Sequence, residues 1–289
     1  MKLSVYAIFA VLFWVSTAAF AQDEEPLKRD WLAQDVKALQ LLARLQPVEA
    51  HTLEDLKCIW GKNTGGEERE LGFGAQRVRL TQPNGYTHFY LDLFIFHGRI
   101  GFYELGVSGS RESWPRIRTG LIAAWWENGG GEYEEDDGRL VQQRTFPAVF
   151  QAYQQAVAAA LGELKPVTVP AALRDSYEYL LSPLENSYVG KGGCGYGGEV
   201  PAGRKAMEAL RKAGRMDLIE NVLRGYNPGG RVYAALAFLE QQRRGVWLPP
   251  EVQETIRKLS ALKITITTCE GCIVSQQWAK GVFRTPEKY

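Results

Sequence analysis

The chain has 289 residues, 45% of them hydrophobic, and a formal net charge of +1. That length and apolar content supply a core for one large domain or two small ones. The near-balanced charge gives no electrostatic reason to bind nucleic acid or an anionic membrane surface.

The N-terminus, MKLSVYAIFAVLFWVSTAAFA, carries a single Lys2, a long apolar run and the small-residue site Ala19-Phe20-Ala21, followed by the acidic Gln22-Asp23-Glu24-Glu25. This is the pattern of a secretory signal over residues 1–21, cut after Ala21. The apolar run is also long enough for an uncleaved anchor, but the cleavage site favours removal and leaves no stable membrane anchor. The expected location is therefore periplasmic or extracellular.

Leu27 to Leu45 places Leu32, Val36, Leu39 and Ala43 at helical spacing, ending before Pro47. Thr52-Leu-Glu-Asp55 has the form of a capping box, with Asp in the usual place of Glu or Gln, and starts a short helix toward Trp60. Residues 61–68 read as a loop. Gln76 to Val107 reads as three antiparallel strands joined by tight turns at Asn84-Gly85 and His97-Gly98, since both central positions of a type I′ turn need φ > 0. The two registers agree on the faces. One collects Val78, Leu80, Phe89, Leu91, Leu93, Ile95, Ile100 and Phe102. The other collects Arg77, Arg79, Thr81, His88, Tyr90, Asp92, Arg99 and Tyr103, with Phe94, Phe96 and Leu105. One covered and one wetter face is the expectation. Glu104 is the misfit, falling on the apolar face opposite Leu91, so a bulge or a sheet edge is expected nearby.

Beyond the meander, Ser113 to Glu127 reads as a helix, although Trp125-Trp126 also suits a strand. Gly129 to Gly138 reads as an acidic, turn-rich loop and Arg139 to Arg144 as a strand. Pro147 to Leu161 is a strongly patterned helix, with Pro at its start and Gly162 just past its end. Leu164 to Pro170, with two prolines, marks a boundary between an α+β domain over 22–162 and a mainly helical region over 163–289. In that region helices are expected at 171–181, 202–213, 217–224, 228–243 (capped by Asn227) and from Pro250, with a closing strand over 263–274. The fold class is α+β: a three-stranded meander backed by helices, then the helical region and its strand.

Residues 213–239 run Ala-Gly-Arg-Met-Asp-Leu-Ile-Glu-Asn-Val-Leu-Arg-Gly-Tyr-Asn-Pro-Gly-Gly-Arg-Val-Tyr-Ala-Ala-Leu-Ala-Phe-Leu. This resembles a HEAT-type helical repeat, in which a short apolar helix, a turn and a second helix of the Arg-Val-x-x-Ala-Ala-x-x-Leu kind recur. Arg231 to Leu236 is close to that pattern. The resemblance covers about one unit, whereas stacked repeats need at least about three. It implies a scaffold for protein contacts and brings no catalytic residues. The Gly-rich Cys194 segment, the helical middle and the late Gly271-Cys272-Ile-Val274 together resemble a group of uncharacterised exported bacterial proteins, which implies a source and no activity.

Four cysteines, Cys58, Cys194, Cys269 and Cys272, imply two disulfides in an exported protein. Residues three apart on a strand point to opposite faces, which disfavours Cys269–Cys272. Two of the three connectivities then remain open, and the one expected here is Cys194–Cys272 with Cys58–Cys269. Gly193 to Gly198 matches G-x-G-x-x-G literally, but lacks the preceding buried strand that a dinucleotide site needs and reads as a disulfide-anchored loop. Cys269-Glu-Gly-Cys272 is followed by too little chain for a thioredoxin-like fold. The histidines and cysteines are too scattered for zinc, and Glu132 to Asp137 lacks EF-hand spacing, so neither metal nor cofactor is expected.

The strongest candidate surface is the polar face of the meander, where Arg77, Arg79, His88, Tyr90, Asp92, Arg99 and Tyr103 offer the planar and amphipathic side chains that carry interface energy. The reading is a non-catalytic exported binding or scaffold protein with a protein partner in the cell envelope. The alternative is an exported hydrolase of cell-wall glycan or peptide, drawing an acid–base pair from Glu104, Asp92 and Glu127.

Overall fold

The computed structural model describes residues 44–45, 47–61, 65–84, 87–109, 114–115, 132–136, 139–185, 188–190, 192–195, 197–271 and 273–284. The expected signal, nearly all of the helices over 27–45 and 113–127, Gly85 of the first turn, and Cys272 lie outside them. The fold is α+β. The chain forms two compact units: 1–66 with 80–92 and 103–144, and 67–79 with 93–102 and 145–289. The proline-bearing segment 164–170 lies within the second unit, and the divisions run through strands.

The larger sheet has six strands, β1 (Gly65–Gly72), β2 (Ala75–Asn84), β3 (Thr87–Phe96), β4 (Arg99–Gly109), β5 (Glu132–Asp136) and β6 (Arg139–Thr145), in the order β1-β2-β3-β4-β6-β5. The expected meander is its centre, β2 to β4. The His97-Gly98 turn has φ of 46° and 77°, as a type I′ turn demands, and Phe73-Gly74 does the same at 59° and 82°. That second turn adds β1, of which residues 65–68 fall in the stretch expected to be loop. Gly65-Gly-Glu-Glu-Arg-Glu70 carries no β-branched or aromatic residue, and only Leu71 and Gly72 of the strand are buried, so backbone pairing at a sheet edge holds it. The acidic run read as a loop is also a strand: β5 pairs antiparallel with β6 from Glu132 opposite Gln143 to Asp136 opposite Arg139.

The sheet centre is not half wet. Every residue of β3 from Phe89 to Phe96 is buried, so both of its faces are covered. Helix α1 (Leu53–Trp60), opened by the Thr52–Asp55 capping box, belongs to the first unit. In the second unit the cover is helix α2 (Pro147–Leu161): Phe94 stacks on Phe150 at 4.7 Å and meets Tyr153 edge-on at 5.2 Å.

The second unit continues with α3 (Arg174–Leu181), α4 (Ala202–Lys212), α5 (Met216–Leu223), α6 (Pro228–Arg243), α7 (Pro250–Ala261), the strands β7 (Thr265–Glu270) and β8 (Ile273–Trp278), and α8 (Ala279–Arg284). The HEAT-like segment forms two consecutive packed helices, α5 and α6. Helix α6 is buried on every side from Pro228 to Phe238, as its lack of a polar stripe before Glu240 requires. It packs against α3, α4, α5, α8 and β7. Its first turn is tightly held. Asn227 Oδ1 accepts from the amides of Gly229 (2.9 Å) and Gly230 (3.3 Å), while its Nδ2 donates to the carbonyl of Ser182 (2.8 Å). Arg231, 1% exposed, donates through Nη2 to Leu71 O (3.0 Å), Tyr153 Oη (3.2 Å) and Tyr226 O (3.2 Å). The expected closing strand is a hairpin instead, because Gly271, at φ 58°, reverses the chain between Glu270 and Ile273.

A Cβ on Gly230 would fall 2.0 Å from the carbonyl oxygen of Leu180, so α6 and α3 touch backbone to backbone at a point only glycine allows. Gly230→Ala is expected to lower the unfolding free energy by about 2–3 kcal/mol despite the better helix propensity of Ala. Gly281→Ala in α8, where an added Cβ meets nothing within 4 Å, is expected to be neutral or mildly stabilising. Urea denaturation of the two variants checks the contrast, and equal effects would contradict the close approach.

Candidate functional site

The seven residues of the expected polar face do not form one open surface. Arg77, Arg79 and Arg99 belong to the second unit, and His88, Tyr90, Asp92 and Tyr103 to the first. Tyr90, Asp92 and Tyr103 are 4%, 5% and 1% exposed, because the face expected to be wet is covered. His88 and Arg99 are exposed, and Arg77 donates to the carbonyl of Leu184.

In the first unit Tyr90 and Glu104 are joined. The Tyr90 hydroxyl donates to Glu104 Oε1 at 2.7 Å, Gln143 Nε2 donates to Oε2 at 2.8 Å, and Arg139 Nη2 reaches both Oε1 (3.4 Å) and the Tyr90 hydroxyl. The Arg139 guanidinium also lies over the Tyr90 ring, 5.5 Å from its centroid. The ring covers Gly106, where a Cβ would fall 2.0 Å from Tyr90 Cζ. Glu104 therefore shares a face with Tyr90 and Gly106, not with Leu91 as the hairpin register alone implies. Phe94, by contrast, keeps that register, its ring lying 2.8 Å from the Cβ position of Gly101. The alternation slips by one residue between these points, the signature of a bulge.

The electrostatics follow the packing. Burial, then the hydrogen bond to the Glu104 carboxylate, pushes the Tyr90 phenol up to about 12. Burial also raises the Tyr103 phenol, with a smaller push from the Glu49 carboxylate, which pairs with Arg144. Both oxygens of Glu104 are thus occupied by donors from β3 and β6. The group acts as a clamp between strands. Arg139 and Gln143 went unnoticed in the sequence, although their spacing of four puts them on one face of a strand. Nothing local reveals that β6 lies beside β4.

In the second unit a small recess is lined by Arg69, Arg77, Glu185, Asn227, Gly229 and Thr267. It lies by the first turn of α6, yet the Gly229 and Gly230 amides are capped by Asn227 and Arg69 is paired with Glu67 at 2.8 Å. The arrangement is not a prepared anion site.

The cysteine pairing differs from expectation. Cys194 is bonded to Cys269, with Cα atoms 5.6 Å apart, and not to Cys272; Cys58 is an exposed free thiol. The backbone decides this. Val189 N donates to Thr267 O (2.9 Å), Cys269 N to Val189 O (3.1 Å), Gly271 N to Gly193 O (3.0 Å) and Gly195 N to Gly271 O (2.8 Å). The glycine-rich loop thus runs alongside β7 as a partial third strand and carries Cys194 to Cys269. Its glycines allow the approach: a Cβ on Gly190 would fall 2.3 Å from Cys269 O. Tyr233 of α6 locks the loop, donating to Tyr188 O (2.6 Å) and accepting from Gly190 N (3.1 Å).

Among the described residues no group of three His, Cys, Asp or Glu side chains is placed to hold a metal ion. Among them, too, no helix is long and apolar enough to cross a membrane. Compared with known protein families, with known proteins and with solved structures, the chain matches none. The HEAT-like likeness of residues 213–239 therefore rests on its own residues.

Burial also raises the Tyr233 phenol to about 12. Between about pH 10 and 12 unfolded phenols ionise while Tyr90 and Tyr233 hold their protons, so the unfolded state gains. The contribution is complete below pH 10 and is lost as pH rises through 12, up to roughly 2–3 kcal/mol for Tyr233 and less for Tyr90, where solvent screens part of the charge. Melting followed across this range, with tyrosinate absorbance read in parallel, is expected to show unfolding coincident with ionisation, and a smaller slope in Tyr233→Phe. Stability that stays flat to pH 12 would contradict it.

Proposed function

We propose that this is a non-catalytic exported binding or scaffold protein of the cell envelope, engaging a protein partner. The observation that carries the reading is where apolar side chains are left in water. Trp247 and Ile273 are each 71% exposed, and Trp278, Val274 and Val246 are about half exposed, all in the C-terminal part of the second unit. Apolar and aromatic groups exposed in this way favour a macromolecular partner. The candidate carboxylate Glu104 is meanwhile held by three donors, which weighs against the hydrolase reading. The secretory pattern of residues 1–21 and the Cys194–Cys269 bond support export.

The partner surface proposed here moves from the covered meander face to these exposed residues. Crosslinking in intact cells, followed by mass spectrometry, is expected to recover a different protein with wild type and to lose it with Trp247→Ser, Ile273→Ser and Trp278→Ser combined, once that variant is shown to be folded. The intact mass of the exported protein is expected to correspond to a chain starting at Gln22. Turnover of cell-wall material by wild type that disappears in Glu104→Gln would overturn the proposal.

A further inference from the structure

We propose that two copies of this chain associate through β8, edge to edge and antiparallel, about a two-fold axis at Gln276. The inference goes beyond the binding reading and does not depend on export or on any other partner.

The smaller sheet has two strands, and one of its edges is occupied. On β7, Thr267 and Cys269 point their backbone groups at Val189. On β8 no strand is paired outside, among the described residues. Which groups are free there follows from the register. Ala279 N donates to Ile264 O at 3.0 Å, and bonded pairs in an antiparallel ladder recur every second residue. Gln277 with Ile266, Ser275 with Thr268 and Ile273 with Glu270 are therefore the bonded pairs. Val274 and Gln276 consequently turn their N–H and C=O groups outward, and Trp278 its N–H.

Natural edge strands are protected by charge, proline, bulges or brevity. Ile273-Val-Ser-Gln-Gln-Trp278 contains no charged residue and no proline. It leaves Ile273, Val274 and Trp278 at 71%, 54% and 56% exposure. The strand is also complementary to itself. With Gln276 opposite Gln276 of the second copy, Val274 lies opposite Trp278 of that copy, twice by symmetry. An aromatic side chain beside a β-branched one is a favourable cross-strand pair. Moving the axis to Val274 or Trp278 would leave one of these side chains opposite itself and the other unmatched. The Gln276 amide is already used on Glu67 at 2.8 Å, so only its backbone is asked to pair at the axis.

The charges beyond the strand select the antiparallel sense. Glu270 stands at one end, and Lys280 and Arg284 lie past the other, all three exposed. Antiparallel association brings the acidic end of each copy toward the basic end of the other, whereas a parallel one sets like against like. A homodimer is the occupant that uses every one of these features.

The test is the oligomeric state of the purified chain lacking residues 1–21, measured by sedimentation velocity over a concentration series. Wild type is expected to dimerise with a dissociation constant at or below about 100 µM. Gln276→Pro removes an N–H that faces away from β7, so the hairpin is retained. It is expected to weaken dimerisation at least tenfold while melting close to wild type at concentrations where wild type is monomeric. Gln276→Cys in a Cys58→Ser, Cys272→Ser background serves as a trap, because directly opposed bonded residues lie about 5.5 Å apart, within disulfide range. It is expected to give an oxidised dimer linked at position 276, and Gln277→Cys is not. A monomeric wild type at all concentrations, a dimer insensitive to Gln276→Pro, or a β8 that binds only a different protein overturns the proposal.

Discussion

The first turn of α6 is the joint on which the second unit depends. Asn227 and Arg231 each serve several elements at once. Asn227 caps α6 with its oxygen and reaches the end of α3 with its nitrogen, at Ser182 O and Tyr179 O. Arg231 ties the end of β1, at Leu71, to α2, at Tyr153, and its guanidinium lies 5.1 Å from the Phe73 ring centroid. The Tyr153 hydroxyl in turn donates to Tyr226 O at 2.8 Å. The Arg231 partners are neutral oxygens, and burial pushes its guanidinium below its ordinary range. A buried cation without a carboxylate is costly unless its donors are met. The carbonyls at Leu71, Tyr226 and Asn227 meet the Nη2 and Nε donors only when strand, helix and turn are all in place, while the buried Nη1 has no partner among the described residues, so much of the cost falls on any arrangement that separates these elements.

A second constraint is backbone approach without side chains. Gly230 lets α6 press on Leu180, Gly190 lets the loop lie against Cys269, and Gly106 receives the Tyr90 ring. These close contacts convert residues that look like flexible spacers into fixed points. The glycine-rich stretch around Cys194 illustrates the consequence. Its G-x-G-x-x-G spacing serves strand-like packing along β7 and a disulfide to Cys269, with no nucleotide chemistry implied.

Function follows from what burial leaves available. The polar residues that the meander pattern offers as a surface are largely used internally, with Tyr90, Glu104, Arg139 and Gln143 forming one clamp across three strands. The apolar residues left in water lie elsewhere, at Val246-Trp247 and along β8. An uncharged edge strand with its backbone groups turned outward and apolar side chains beside them is suited to pairing, which joins the binding reading to a defined mode of self-association.

Local signals in the sequence were sufficient for much of the secondary structure. The Pro147 start and Gly162 end of α2, the Asn227-Pro228 opening of α6 and the His97-Gly98 turn depend on φ preferences and caps that act within a few residues. The Thr52–Asp55 capping box forms with Asp in the Glu position because its carboxylate still reaches the Thr52 amide, at 3.0 Å. Tertiary structure alone decided the rest. Strand β1 has no propensity of its own and exists by pairing. The misfit of Glu104 in the alternation points to a bulge or an edge, but which face and which partners the carboxylate takes was set by packing against Tyr90 and β6. Cys194 met Cys269, 75 positions further on, because the intervening chain brought the loop alongside β7, and loop closure over that distance leaves no trace in local spacing. Whether a polar strand residue becomes a surface or a clamp depends on what covers it, and that cover comes from elements remote in the chain.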